Sequence, residues 1–314
     1  MASADDTTYK QLFSHPEMVR DLLLGFVPEP WISQLNLNSF ERVSGSYVGD
    51  DGDHRHSDMV WKVQLGEHWV YLYLLLEFQS RSDPWMALRM QVYVGLLYQD
   101  LVRRHELPQP GMLPPVFPLV LYGGVGAWSA SKSLADLMAP MPDSLLALQP
   151  AQRYLLIDQG AIAPQKLTQF NNLVAAYFRL AAASTEAEAT TATDGLDTLM
   201  TAGTPLPLLR TLLCLAARRL RCLAKAPKIG GENGQMEIAA MTTTQPMSFK
   251  EGVAFELKLY GQKDKLKSLL SKRFGALSAN LDARIEDAEV NDIDLWYDRL
   301  FDAKEIEEVF AESK

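Results

Sequence analysis

Asp58, Glu77 and Gln79 are polar residues set at the ends of apolar runs, and oxygen donors in that setting suit a hard divalent cation. The run WVYLYLLLEFQS, residues 69–80, is almost wholly apolar until Glu77, as a central strand covered on both faces would be. A carboxylate there is costly to bury unless it is paired or bound to metal, and no basic residue lies within the run to neutralise it. Two carboxylates at the ends of neighbouring strands would hold a cation while leaving positions open for a phosphate oxygen and an attacking water.

The flanking elements must bring these groups together. Residues 57–65 read as a strand, with Met59, Trp61 and Val63 alternating against Asp58, Val60 and Lys62. A hairpin around Gly66-Glu67-His68 then puts position 76 roughly opposite Asp58. Glu77 and Gln79 lie two apart and project from one face. Upstream, residues 6–26 have a helical apolar face (Leu12, Phe13, Val19, Leu22, Leu23, Phe26), with Asp6 as N-cap and a division at Pro16. Residues 39–48 form a first strand and DDGDHR a turn. Downstream, Pro84 opens a helix to about Arg104, with Leu88, Val92, Leu96 and Leu97 as its inner stripe, and VFPLVLY (116–122) is a fourth strand closed by Gly123 and Gly124. Helix, three strands, helix, strand is a mixed α/β order. Arg89 and Tyr93, four apart, share a face of the second helix, with Gln91 nearby.

The runs ERVSGSYVGDDGDHRHSDMVWKV, YLYLLLEFQS and LRMQVYVGLLY resemble the recombination-promoting nuclease (Rpn) family, also described as YhgA-like transposases, within the PD-(D/E)XK superfamily. The resemblance spans about the first 125 residues, from DDTTYKQLF to VFPLVLYGG, and the last 65 are similar to a small helical domain often appended to such proteins. It implies a restriction-endonuclease-like α/β core with a mixed central sheet flanked by helices, and a divalent-cation-dependent DNA endonuclease activity linked to recombination or transposition. It implies further that Asp58 and Glu77 ligate Mg²⁺ or Mn²⁺ and that Gln79 stands where the superfamily usually has lysine. Glutamine can orient a water by hydrogen bonds but is neither base nor cation. Glu41 ranks first as an added metal ligand, ahead of Glu17 and Asp21, and Arg89 with Tyr93 would contact the scissile phosphate. Lys62 is an alternative source of the missing lysine.

The 314 residues, 47% hydrophobic, suffice for a sizeable core, and divide as a nuclease-like domain over 1–180, a linker over 181–248 and a helical module over 249–314. The Ala/Thr-biased stretch 181–195 reads as a connector, and residues 205–228 as a helix with six basic residues and no acid, a candidate DNA-facing surface. Net charge is −9, which argues against a generally basic nucleic-acid binder, although a bound cation supplies local positive field. No apolar stretch reaches the roughly 20 residues a membrane helix needs. Cys214 and Cys222, too far apart on one helix to bridge, read as buried thiols in a reducing cytoplasm. His54 and His56 read as turn residues, not zinc ligands, and Gly123, Gly124 and Gly126 form no nucleotide fingerprint. Cleaving both strands would be simplest for a homo-oligomer. The alternatives to a nuclease are a DNA-binding accessory protein on the same fold and an interaction module that recruits a partner.

Overall fold

The chain divides at Pro16 into α1 (Ala4–Phe13) and α2 (Pro16–Phe26), since proline is tolerated in a first turn but cannot continue a preceding helix. The structure, a computed structural model, describes residues 4–43, 58–77, 82–124, 126–200, 204–224 and 248–311. Its sheet has the order β1-β2-β3-β4-β5, made of β1 (Leu35–Val43), β2 (Asp58–Leu65), β3 (His68–Glu77), β4 (Val116–Tyr122) and β5 (Leu155–Asp158). β1, β2 and β3 pair antiparallel, whereas β3, β4 and β5 pair parallel. Parallel neighbours need a long crossover, and α3 (Met86–Arg103) supplies it between β3 and β4. This is the mixed α/β core expected, a mixed sheet flanked by helices, with further helices at the C-terminal end.

β3 is central because it is apolar on both faces. Tyr71, Tyr73 and Leu75 join Met86, Met90, Val94, Leu97 and Leu101 of α3 in one core cluster. Leu72, Leu74 and Leu76 are buried on the opposite face, where α1 meets β3. Each such side chain contributes roughly 1.5–3 kcal/mol by leaving water. The inner stripe of α3 is thus Met86, Met90, Val94 and Leu97, while Leu88 and Val92 are exposed. The helix has apolar residues on two sides: of the expected stripe Leu97 is buried in the core and Leu96 half-buried, whereas Leu88 and Val92 fall on the outer side.

α4 (Asp143–Leu146), α5 (Pro164–Gln169) and α6 (Leu173–Ala182) complete the first compact unit, which comprises the chain to Ala182 with Pro205–Thr211. Asp21 is buried in it, accepting from the Leu173 backbone N–H at 2.8 Å at the start of α6, where helices leave donors unsatisfied.

The second unit comprises Ala183–Thr204 and Leu212 onward. Part of the stretch read as a connector is α7 (Glu186–Leu199), opened by a capping box in which Thr185 and Glu188 satisfy each other's backbone N–H. α8 (Leu206–Leu223) carries four of the six basic residues, Arg210, Arg218, Arg219 and Arg221, and both cysteines, while Lys225 and Lys228 lie outside the described residues. Neither cysteine forms a disulfide, and neither is buried as expected: Cys214 is half-buried and Cys222 exposed. α9 (Phe249–Phe274), α10 (Ala279–Asp287), α11 (Val290–Asp302) and α12 (Ile306–Val309) close around Leu266, Leu270, Ile285, Ile293, Trp296 and Phe310. Burial pushes the Lys263 ammonium below its usual pKa, against the opposing pull of Glu286, whose carbonyl accepts from Lys263 Nζ at 2.6 Å. Among the described residues no helix is long and apolar enough to cross a membrane.

β2 and β3 are joined by a two-residue turn. Leu65 pairs with His68, and Gly66 has φ +60°. A positive φ at the first central position is the type II′ arrangement, whose twist matches that of the flanking strands. Gly66→Ala should cost about 1–2 kcal/mol, measured by urea denaturation, although its Cβ meets nothing within 4 Å, because the penalty is in the backbone. Gly66→Asn should cost less.

Candidate active site

The turn sets which face each strand residue occupies. Asp58 pairs with Leu75, one residue short of the position expected from a three-residue loop. Position 76 as partner would have set Glu77 on the face opposite Asp58. With Leu75 as partner, Glu77 falls on the same face as Asp58, as its diagonal neighbour, with backbones about 7–8 Å apart. The face is the one that α3 covers, since Val60 and Leu75 belong to the α3 core cluster.

Glu41 is placed elsewhere. It pairs with Lys62 across β1 and β2, and its carboxylate meets Lys62 Nζ at 2.8 Å. Lys62 also lies over the Trp69 ring, 4.6 Å from its centroid. Lys62 is four residues from Asp58, about 13 Å along the strand. The structure therefore pairs Glu41 with Lys62 at the middle of β2, level with Tyr71 and four residues from Asp58. Asp21 is committed to α6, while Glu17 keeps Oε2 buried with no hydrogen-bond partner among the described residues. Gln79, His54, Arg55 and His56 lie outside the described residues.

Arg89 and Tyr93 do come together. Arg89 Nε donates to Tyr93 Oη at 3.3 Å, and Arg89 Nη1 meets Asp83 Oδ2 at 2.8 Å. Tyr93 stacks on Tyr73, with centroids 5.7 Å apart and planes 19° from parallel. Tyr73 is on the Asp58 face and opposite Val60, so this arginine and tyrosine are held over that face of the sheet at the level of Tyr73. Asp83 was not singled out by the sequence. Its Oδ1 accepts the Trp85 backbone N–H at 2.8 Å while its Oδ2 holds Arg89, so one carboxylate starts α3 and aims the guanidinium.

Tyr122 also escaped the sequence reading. It is the parallel partner of Glu77, it is fully buried, and its hydroxyl has no hydrogen-bond partner among the described residues. Trp128 packs edge-on against it at 4.9 Å, and Trp128 N–H donates to Asp158 at 3.2 Å. Burial raises the neighbouring Tyr154 phenol to about 12, so it stays protonated. The signal was available: VFPLVLY, like the strand before it, is apolar until its last residue. An unsatisfied buried hydroxyl beside an acid position fits a site completed by another polar group, and hard oxygen donors fit Mg²⁺ or Mn²⁺. Among the described residues no group of three His, Cys, Asp or Glu side chains comes together.

Residues 3–204, well over half of the chain, match the family described as "Putative transposase, YhgA-like". The chain belongs to this family. It is 32% identical over 119 residues to the recombination-promoting nuclease RpnD of Escherichia coli O157:H7, which is 38% of this chain and 45% of that protein. It is 30% identical over 120 residues to RpnA of Escherichia coli K12, covering 38% and 40%. It is 29% identical over 174 residues to the K12 protein named inactive recombination-promoting nuclease-like protein RpnE, covering 55% and 56%. The chain thus matches about half or less of each of these relatives. No solved structure matches it.

Asp83→Ala should lower stability by about 1–2 kcal/mol, because it removes a helix-start acceptor together with a half-buried ion pair. Asp83→Asn, which keeps the acceptor for Trp85, should lose less. Thermal unfolding followed by far-UV circular dichroism separates the two.

Proposed function

We propose that this protein is a divalent-cation-dependent DNA endonuclease of the PD-(D/E)XK type, acting in recombination or transposition. The observation that carries the reading is the same-face, diagonal position of Asp58 and Glu77 at the ends of β2 and β3, in a chain of this family. The carboxylates of Asp58 and Glu77 hold Mg²⁺ or Mn²⁺, which when bound supplies Lewis-acid stabilisation of the phosphate and lowers the pKa of water. Gln79 orients the attacking water by hydrogen bonds, and Arg89, aimed by Asp83, stabilises the charge that develops on the phosphate.

A second reading has its own support. One relative is named inactive, and Gln79 supplies neither the base nor the charge of a lysine. The fold would then bind DNA without cutting it.

Supercoiled plasmid incubated with the full chain and Mg²⁺ or Mn²⁺ distinguishes the two. Nicking is expected, with loss on adding EDTA and a drop of about 100-fold or more in Asp58→Ala and in Glu77→Ala at unchanged circular dichroism. Nicking that persists in both variants would sink the site. Retained DNA binding with no nicking under any cation would favour the second reading.

A further inference from the structure

Tyr122 ends β4 with a hydroxyl that packing does not explain. The residue is fully buried and its Oη has no hydrogen-bond partner among the described residues, a cost that phenylalanine, of nearly the same shape, would not carry. The two polar aromatics beside it are satisfied. Trp128, edge-on to Tyr122, donates from Nε1 to the Ala130 carbonyl at 3.0 Å, and Tyr154, edge-on to Trp128, donates from Oη to the Ser131 carbonyl at 2.8 Å. Trp128 is held in turn by Asp158, which accepts its backbone N–H at 3.2 Å and that of Gly160 at 3.1 Å. The Tyr122 ring is thus fixed in place, and a partner for its hydroxyl has to come to it.

The strand register names the neighbours. Tyr122 is level with Glu77 on β3 and with Asp158 on β5, and parallel partners at one level project from the same face of the sheet. Asp158 gives one oxygen to each of two backbone N–H groups beyond its strand, which leaves Glu77 as the neighbour able to take the phenol proton. Resting on the reading of Asp58 and Glu77 as cation ligands, we propose that Tyr122 is a positioning residue of that centre: its hydroxyl donates to the Glu77 carboxylate oxygen turned away from the cation. Neighbouring strands lie about 4.8 Å apart, a span that a phenol leaning across can bridge. A carboxylate that binds through one oxygen rotates about its last bond unless a donor holds the other, and such outer donors set the affinity of the ligand for its metal. A phenol does this as a neutral donor, whereas a lysine in its place would add a positive charge opposed to the cation.

Tyr122→Phe removes the one oxygen and keeps the ring, and the test reads cation binding and stability in place of cleavage. Mn²⁺ binding to the full chain, followed by electron paramagnetic resonance of the free ion, should weaken about 10–100-fold in this variant at unchanged circular dichroism. Its melting temperature without cation should stay the same or rise, because no hydrogen bond is lost in that state. Equal Mn²⁺ affinity in wild type and Tyr122→Phe, with binding lost in Asp58→Ala, would overturn the role of Tyr122 and leave the centre standing. A lower cation-free melting temperature in Tyr122→Phe would also overturn it, since the hydroxyl would then have its partner within the fold itself. A wild type without any Mn²⁺ binding that Asp58→Ala removes would bring down the centre and this role together.

Discussion

A β-hairpin transmits one decision along its whole length: the number of residues in its turn fixes which side chains on the two strands share a face. Here that number is two, set by Gly66 in a left-handed conformation, and the effect reaches Asp58 at the far end of β2. Every pair between Leu65 with His68 and Asp58 with Leu75 keeps the same phase. The core depends on it, because the same phase puts Val60, Tyr71, Tyr73 and Leu75 under α3 and Leu72, Leu74 and Leu76 on the other side. The candidate site is therefore a by-product of core packing. The acids occupy the last turns of an alternation that buried apolar residues have already enforced.

What the sheet provides as a platform, α3 completes. Its inner stripe covers the face on which Asp58 and Glu77 lie, and Asp83 at its start links the helix entry to the direction of Arg89. Tyr93 stacks on Tyr73, so the polar pair is tied to the sheet by an aromatic contact as well as by charge. The adjoining parallel strand contributes Tyr122 beside Glu77, which gives the strand ends a row of polar positions across β2, β3 and β4.

Strand positions were legible because alternation and unbroken apolar runs reflect burial directly, and the chain order of helices and strands followed. Register was less legible, since Gly66-Glu67-His68 fits a two- or three-residue loop and only the backbone conformation decides. The inner stripe of α3 was misread because Leu88 and Val92 are as apolar as Met90 and Val94, and hydrophobicity does not say which partner a helix face has. α7 was hidden by its Ala and Thr content, although Thr185 and Glu188 spelled a helix start. Glu41 illustrates a further limit: its type and strand suited a ligand, but its level along the strand, opposite Lys62, was not readable without the register.

The central place of β3 also bears on how the chain emerges during synthesis. Val70–Leu76 is uncharged, aromatic and aliphatic, and one edge of it is covered at once by β2. The other edge pairs with β4, which begins at Val116, roughly 40 residues later in the chain. At a typical ribosomal speed the interval is about 2–8 s, during which a sticky strand edge has no native partner. α3, made within that interval, can shield a face of the strand but not its backbone edge, so delayed arrival of β4 makes this segment the point where folding competes with association of nascent chains.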